Sequence, residues 1–324
     1  MEITEFTAGI NDDNRRIDKV IRIFLPRTNL TDIYKAIRKG LIKVNNKKVD
    51  CNFRVKTNDI ISIPNFIIIS DNQFKTENHK KDINLAIPEI IFENENIIIL
   101  NKPYDMLVQG NDSSLDKIIQ AFFKEKNNSL SFNPGPLHRL DRKTTGIIAF
   151  SKSLKGAQWF SENIKNHSIQ KKYKTILEGE IINSEIWEDF IEKKEDNLKS
   201  FHKVSVSSKK DSEISKKAYT IVNPIQTFSF NKKKLTYAEI IIKTGRMHQI
   251  RAQSSLHKHP LFGDIAYGGE KINSSFSKKD FFLHAYKVII PENPIGLPEE
   301  ITIDLPEDFN NFLTQTCDIK ISRV

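Results

Sequence analysis

The stretch Pro136–Phe150, PLHRLDRKTTGIIAF, decides how the chain is read. It leaves a Pro/Gly-rich turn, Asn133-Pro134-Gly135-Pro136, and passes through His138-Arg139-Leu140-Asp141-Arg142 and Thr144-Thr145-Gly146. It then enters the apolar run Ile147-Ile148-Ala149-Phe150, which predicts a buried strand. Asp141, flanked by two arginines, is therefore carried on a loop anchored to the core, where chemistry is commonly placed. The plain alternative is a solvated ion-pair cluster feeding a strand, and exposed pairs contribute little.

The 324 residues are long enough for two domains, with hydrophobic residues at 38%. Lys and Arg number 50 against 41 Asp and Glu, a formal charge of +9, which favours a polyanionic partner. Cys51 and Cys317 are the only cysteines, too few for a disulfide framework or a Cys-rich metal site, and they fit a reducing cytoplasm. The opening MEITEFTAGINDDNRR has no apolar signal core, and no run approaches a membrane span, so a soluble cytoplasmic protein is expected.

Upstream of the central stretch, residues 1–14 are polar and expected to fray or lie across a domain. Ile17, Val20, Ile21, Phe24 and Leu25 then fall on one face of an amphipathic helix that Pro26 ends. A second helix from about Thr31 stops at Gly40, and Leu41–Val44 and Lys48-Val49 flank a turn at Asn45-Asn46-Lys47. Between Arg15 and Lys56 stand 13 Lys or Arg against Asp18, Asp32 and Asp50. Lys35, Arg38, Lys39 and Lys43 form a basic face expected to bind a phosphate backbone. This segment resembles the S-four-type RNA-binding domain in Arg16-Ile17-Asp18, Ile37-Arg38-Lys39-Gly40, Val44-Asn45 and Asn58-Asp59, which implies binding of structured RNA. The expected organisation is a domain over 1–65 (core about 15–64), a linker over 66–87 and a second domain over 88–324.

In that second domain, Ile90-Ile91-Phe92 and Ile97–Leu100 predict two strands around a tight turn, and Leu115, Ile118, Ile119 and Phe122 predict a helix. Downstream of the central stretch, Leu154–Ile164 reads as a helix and Gln170–Gly179, QKKYKTILEG, as a strand carrying Tyr173. Residues 183–217 are charge-blocked and expected to be largely loop, with strands resuming at 218–222 and 235–242. In KTGRMHQIRAQSSLHKHPLFGDIAYGG, Lys243 to Gly269, a helix is expected to start at Arg246, and a helix N-terminus with Arg and His suits an oxyanion or phosphate.

The ordered set HRLDRKTTG, KKYKTILEG, TGRMHQIR…HPLFGD..YG and FLHA resembles the RluA family of pseudouridine synthases over about residues 88–310. With the N-terminal module, the chain is most similar to the RluC/RluD type, which acts on large-subunit ribosomal RNA. The resemblance implies an α+β catalytic domain with a mixed, mainly antiparallel sheet, flanked by helices and loops that form an RNA-binding cleft. It implies that Asp141 is the essential carboxylate, that Arg139 enters the RNA stack when uridine is extruded, and that Tyr173 stacks on the flipped base. It pairs Arg251 with the carboxylate and leaves Leu283 bordering the pocket. His138, Arg142 and Arg246 complete the expected RNA contacts.

The chemistry fits these residue types. Pseudouridine forms when N1–C1′ breaks, the base turns, and C5 joins C1′, an isomerisation that calls for no redox cofactor, metal or ATP. The carboxylate attacks C1′ or removes a neighbouring ribose proton; the sequence leaves both open, and gives Tyr173 the C5 proton as a further hypothesis. An apolar pocket penalises the anion, and an arginine beside it offsets that penalty. Extrusion exposes the base, and an aromatic ring offers it a stacking surface.

Thr145, Gln253 and Gln109 depart from the family's usual Ser, His and His. His248, His257 and His259 suggest a metal site only weakly, since no cysteine or carboxylate cluster completes one. The rival readings are a non-catalytic ribosome-assembly factor on the same fold and, behind it, an N-glycoside hydrolase lacking a second carboxylate to activate water. A monomer is expected.

Overall fold

The structure is a computed structural model that describes residues 2–73, 86–123, 129–193, 204–210, 212–272 and 279–317. In the N-terminal unit, β1 (Ile3–Thr7), β2 (Lys43–Val44), β3 (Lys47–Lys48) and β4 (Ile60–Pro64) form a sheet in the order β1-β4-β2-β3. Helices α1 (Ile17–Phe24) and α2 (Leu30–Arg38) cover it. Ile17, Val20 and Ile21 of α1 and Ile33 and Ile37 of α2 are buried together with Ile61 and Ile63 of β4, as the helical spacing requires.

Of the two alternatives for the N-terminal segment, the structure takes the ordered one: Ile3–Thr7 lies along the domain and pairs with β4 in antiparallel register, Ile3 opposite Pro64 and Thr7 opposite Ile60. The stretch read as a linker from residue 66 opens with α3 (Asn65–Gln73), which buries Ile67 in the same core. Asp71 in that helix accepts hydrogen bonds from the Arg27 backbone and the Thr28 hydroxyl. The remainder of the expected linker, 74–85, lies outside the described residues.

The larger sheet runs β11 (Val204–Ser207), β10 (Glu185–Lys193), β12 (Lys216–Phe230), β13 (Lys233–Ile242), β9 (Gln170–Glu178), β14 (Leu283–Ile289), β8 (Thr145–Ser151), β6 (Ile97–Lys102), β5 (Ile90–Glu93). Off this order, β7 (Gly135–Pro136) pairs with β8 and β15 (Glu300–Thr302) pairs with β14. The pairings are antiparallel except β14 with β8. Helices α4 (Leu115–Phe122), α5 (Leu154–Lys165), α6 (Gln249–Leu256) and α7 (Glu307–Cys317) pack around this sheet. The α+β class and mainly antiparallel sheet agree with expectation.

Residues 183–217 hold more structure than their charge suggests. In β10, Trp187, Asp189 and Ile191 face inward while Ile186 is exposed, an alternation that an inward-facing aspartate disguises. Part of the charged stretch, 194–203 and 211, lies outside the described residues.

The central stretch is the hinge of the architecture. All seven residues of β8 are buried between β6 and β14. Gly146 has φ of +110°, and a Cβ there would stand 2.2 Å from the Ala285 carbonyl oxygen, so only glycine lets β8 pass β14 this closely. The Asp141 loop is thereby delivered to one end of the sheet.

The two units meet just upstream of that loop. Asp12, fully buried, accepts from Ser129 Oγ at 2.7 Å, from the Leu130 and Ser131 backbone N–H groups at 2.9 Å each, and from the Ser131 hydroxyl. Arg15 Nη1 donates to the Ser131 carbonyl at 2.7 Å, and Leu130 packs against the N-terminal core. Removing an acceptor that satisfies several buried donors costs the desolvation of each. Asp12→Ala is expected to lose about 3 kcal/mol or more of stability and to open to protease the Ser129–Ser131 stretch that Asp12 holds. Unchanged thermal unfolding together with an unchanged cleavage pattern would show that this carboxylate does not join the units.

Candidate active site

Asp141 follows the buried Leu140 and lies at the start of the turn into β8, where Thr144 N–H donates to its carbonyl at 3.0 Å. Its side chain is 22% exposed, open to a substrate yet set in the protein. Arg251, on α6, brings Nη1 to 3.5 Å from Asp141 Oδ2. The other edge of the same guanidinium is gripped by Asp264, Nε to Oδ2 at 2.6 Å and Nη2 to Oδ1 at 2.9 Å. The guanidinium carbon also lies 4.8 Å from the ring centroids of both Tyr267 and Phe281. Burial works against the Arg251 cation, but the hydrogen bonds and charge of Asp264, with Asp141 behind, outweigh it. One arginine is thus locked in place by a buried carboxylate and presents its free edge to a second, accessible one.

His248 stands on the other side, Nε2 3.9 Å from Asp141 Oδ1. Its Nδ1 lies 2.9 Å from the Tyr267 hydroxyl, which accepts the Val204 backbone N–H. Tyr267 then donates to Nδ1 in the tautomer that leaves Nε2–H facing Asp141. His248 is in the left-handed region, φ 52° and ψ 25°, an uncommon conformation for a non-glycine residue that tends to mark functional turns. Helix α6 begins at Gln249, three residues later than expected, because the Gln249 side chain folds back to accept from Arg246 N–H at 3.0 Å and from the Thr244 hydroxyl at 2.7 Å.

Tyr173 of β9 is 4% exposed and shares a core cluster with Leu140 and Leu283. Burial first, and the charge of Asp141 second, push its phenol well above the usual range. The ring and the carboxylate therefore belong to one site, and the phenol is neutral at neutral pH.

The loop carrying Asp141 has a fastener that sequence reading did not assign. Lys102, fully buried at the end of β6, donates from Nζ to the carbonyl oxygens of Pro103 (3.0 Å), Met106 (2.9 Å) and Arg142 (2.9 Å). Burial pulls this amine down to about 7, with the charges of Asp141 and Asp105 opposing. Asp264 and Tyr267 were likewise within recognised motifs but without roles, and His248 was read only as part of an anion-binding helix start. The only sequence signal for them was the Gly-Asp…Tyr-Gly spacing beside an arginine.

The remaining expected residues divide. Arg139 is exposed, and its charge reaches His248. Arg142 is exposed and paired with Asp105 at 2.9 Å, and exposed Arg246 donates from Nε to the Lys217 carbonyl at 3.1 Å. His138 turns inward: Nε2 accepts the Ala149 backbone N–H at 3.1 Å and burial pushes the imidazole down to about 3, so its ring braces β8. Lys35, Arg38 and Lys39 are exposed and Lys43 half-buried, none of them in an ion pair among the described residues.

The departures from the family pattern are accommodated. Thr145 Oγ1 is 2.8 Å from His284 Nδ1. Gln253 donates to the Trp187 carbonyl and to Asp189 and accepts from the Thr220 hydroxyl at 2.6 Å. Gln109 is exposed. The three histidines go separate ways, His257 to Asp189 and the Trp187 ring, His259 to the Glu178 carbonyl, and His248 to Tyr267 and Asp141.

The RNA pseudouridylate synthase family model matches residues 96–256, and the S4 domain model matches residues 15–61. The matched span holds Asp141, Tyr173 and Arg251 in their order. The chain belongs to the RNA pseudouridylate synthase family. The synthase is 29% identical over 93% of both chains to the ribosomal large subunit pseudouridine synthase C of Buchnera aphidicola from Acyrthosiphon pisum. It is 28% identical to the protein of that name from Rickettsia bellii, over 91% of this chain and 96% of that one. The solved human RNA pseudouridylate synthase domain containing 4 shares its fold, with a TM-score of 0.54, 21% identity, and coverage of 70% of this chain and 92% of that one. The synthase is an isomerase that acts on uridine in RNA, which favours the enzymatic reading over the assembly-factor alternative. Among its described residues, no helix is long and apolar enough to cross a membrane.

Proposed function

We propose that this synthase isomerises specific uridines of large-subunit ribosomal RNA to pseudouridine, with Asp141 as the essential carboxylate. One observation carries the site assignment: an accessible carboxylate stands 3.5 Å from an arginine whose other edge is locked by the buried Asp264. Such preorganisation keeps the charge of Asp141 where a ribose would lie, without reorganisation at the moment of reaction. The large-subunit target is supported by the names of relatives that align along nearly the whole chain.

Arg139, exposed beside Asp141, fills the gap left by the extruded uridine. Tyr173 stacks on the flipped base. Its elevated phenol argues against it as the C5 proton acceptor, because a neutral phenol is a poor base. The synthase works as a monomer in the cytoplasm, with Asp141, Arg251, Asp264 and Tyr173 brought into one site within a single chain. Light scattering at working concentration tests this, and a stable dimer would contradict it.

Lys35, Arg38, Lys39 and Lys43 provide a phosphate-backbone grip remote from the chemistry. If each neutralises one phosphate, replacing all four with glutamine lowers the slope of log K against log salt by about 3. It leaves the single-turnover rate at saturating RNA unchanged. A wild-type slope in the quadruple variant would remove the N-terminal unit from the RNA interface. The function itself is tested by incubating the purified synthase with large-subunit ribosomal RNA and mapping pseudouridine; no new pseudouridine would refute it.

A further inference from the structure

Lys171 stands two residues before Tyr173 in β9, on the same face, in a strand whose residues 171, 173 and 175 are all buried. It is 8% exposed and lies opposite Ile242 of β13 and Val288 of β14. Its ammonium makes no ion pair or hydrogen bond among the described residues. Burial pushes the amine down to about 8, and no carboxylate opposes that shift. A buried cation without a partner is costly, and proteins seldom keep one to no purpose.

The ammonium points to a particular place. It ends 3.5 Å from where a Cβ on Gly245 would stand, at the turn that leads into α6. Gly245 is exposed and carries no side chain, so only this turn's backbone stands between the ammonium and solvent-facing space there. The same turn presents the N-terminal end of an eight-residue helix, with His248 held in the left-handed conformation. The backbone N–H groups of Met247 and His248 have no partner among the described residues. Helix N-termini with free N–H groups attract anions. The charge of Lys171 is felt at His138, three residues before Asp141, and that of Arg139 at His248, whose Nε2 faces Asp141.

We propose that Lys171 and the Gly245–His248 turn bind one backbone phosphate flanking the extruded uridine, the anion that completes an otherwise unpartnered cationic pocket. This rests on the reading of the chain as an RNA pseudouridine synthase with Asp141 at the ribose. Two residues along a strand place Lys171 about 6–7 Å from Tyr173, comparable with the reach from a nucleotide's base to its own phosphate. With the base on Tyr173 and the ribose at Asp141, the nearest anion of the substrate is that phosphate. The site grips the nucleotide only after it has left the stack, so it aids extrusion more than first encounter.

The experiment is a cycle between protein and substrate. An RNA fragment carrying a mapped target uridine is prepared unmodified, and with a single uncharged methylphosphonate at the phosphate 5′ or 3′ of that uridine. Single-turnover rates are measured for the wild type, Lys171→Met and Lys171→Arg. One of the two methylphosphonates is expected to slow the wild type by about tenfold or more, the worth of a charge-assisted hydrogen bond. Lys171→Met is slowed to a similar extent on native RNA and loses no more on the methylphosphonate, while Lys171→Arg keeps part of the dependence. Free Lys171→Met melts no lower than the wild type, because an unpaired buried charge has gone. Losses that multiply independently, or a Lys171→Met variant as fast as the wild type, overturn the phosphate site. A wild type that makes no pseudouridine in unmodified RNA would instead refute the underlying enzymatic reading.

Discussion

Asp141→Asn is expected to lower single-turnover pseudouridine formation by about 10,000-fold or more, as loss of a reacting group does in other enzymes. Binding of the same RNA should stay within a few-fold of wild type. The asparagine keeps the shape of the side chain and removes only the charge on which either chemical role depends. It should not unfold the protein. The Asp141 side chain is 22% exposed and its contact with Arg251 is long at 3.5 Å, whereas Arg251 retains two shorter bonds to Asp264. Loss of such a partly exposed pair costs about 1 kcal/mol or less. RNA affinity can even rise, because an anion facing a polyanion has gone. Filter binding beside single-turnover assays separates the two effects. A variant that still converts uridine at the normal rate would remove Asp141 from the chemistry, and one that loses binding in proportion would make it a binding residue.

Arg251→Met carries the second large effect, and it falls on both stability and rate. The buried Asp264, 2% exposed at its side chain, would lose its only ion-pair partner among the described residues. Stranding a buried carboxylate costs about 3–5 kcal/mol. Asp141 would lose the cation that holds it in place, and misplacement of a reacting group costs on the order of 100-fold in rate. The two consequences separate in the double variant Arg251→Met with Asp264→Leu. Removing the stranded charge should recover most of the stability and none of the activity. Chemical denaturation and single-turnover rates read the two axes independently. If the double variant regains activity along with its fold, Arg251 is a structural arginine and contributes nothing at the ribose.

How far the sequence led follows from the range of each interaction. Asp141, Tyr173 and Arg251 were legible because each lies within a short motif of fixed order, and the structure brings all three to one end of the sheet. Lys102 was not, because its role depends on the Arg142 carbonyl, forty residues away in sequence. Asp264 was quoted in its motif, but nothing local says that a carboxylate thirteen residues beyond an arginine grips that arginine from behind. His138 reads in the sequence as a loop hydrogen-bonder, but that its partner would be the Ala149 N–H of β8, eleven positions on, is not written locally.

The same distinction runs through the fold. The helical periodicity of α1 and α2 is local and read directly. Strand β1 is only five residues long and exists by pairing with β4, some sixty positions away. In β12 the expected strand stopped at residue 222, yet it continues to Phe230 past Pro224, with a register shift between Pro224 and Gln226. The proline is tolerated because β10 pairs only as far as Val222, leaving β12 without a strand neighbour on that side among the described residues.

The central claim is that the Asp141 carboxylate drives uridine isomerisation in large-subunit ribosomal RNA. Its most direct test is pseudouridine mapping of that RNA from cells lacking this gene, complemented with either the wild-type chain or Asp141→Asn. The account predicts that defined pseudouridines vanish without the gene, return with the wild type and do not return with Asp141→Asn. A ribosomal RNA whose pseudouridines are all retained in the absence of the gene, or restored by the asparagine variant, would contradict it.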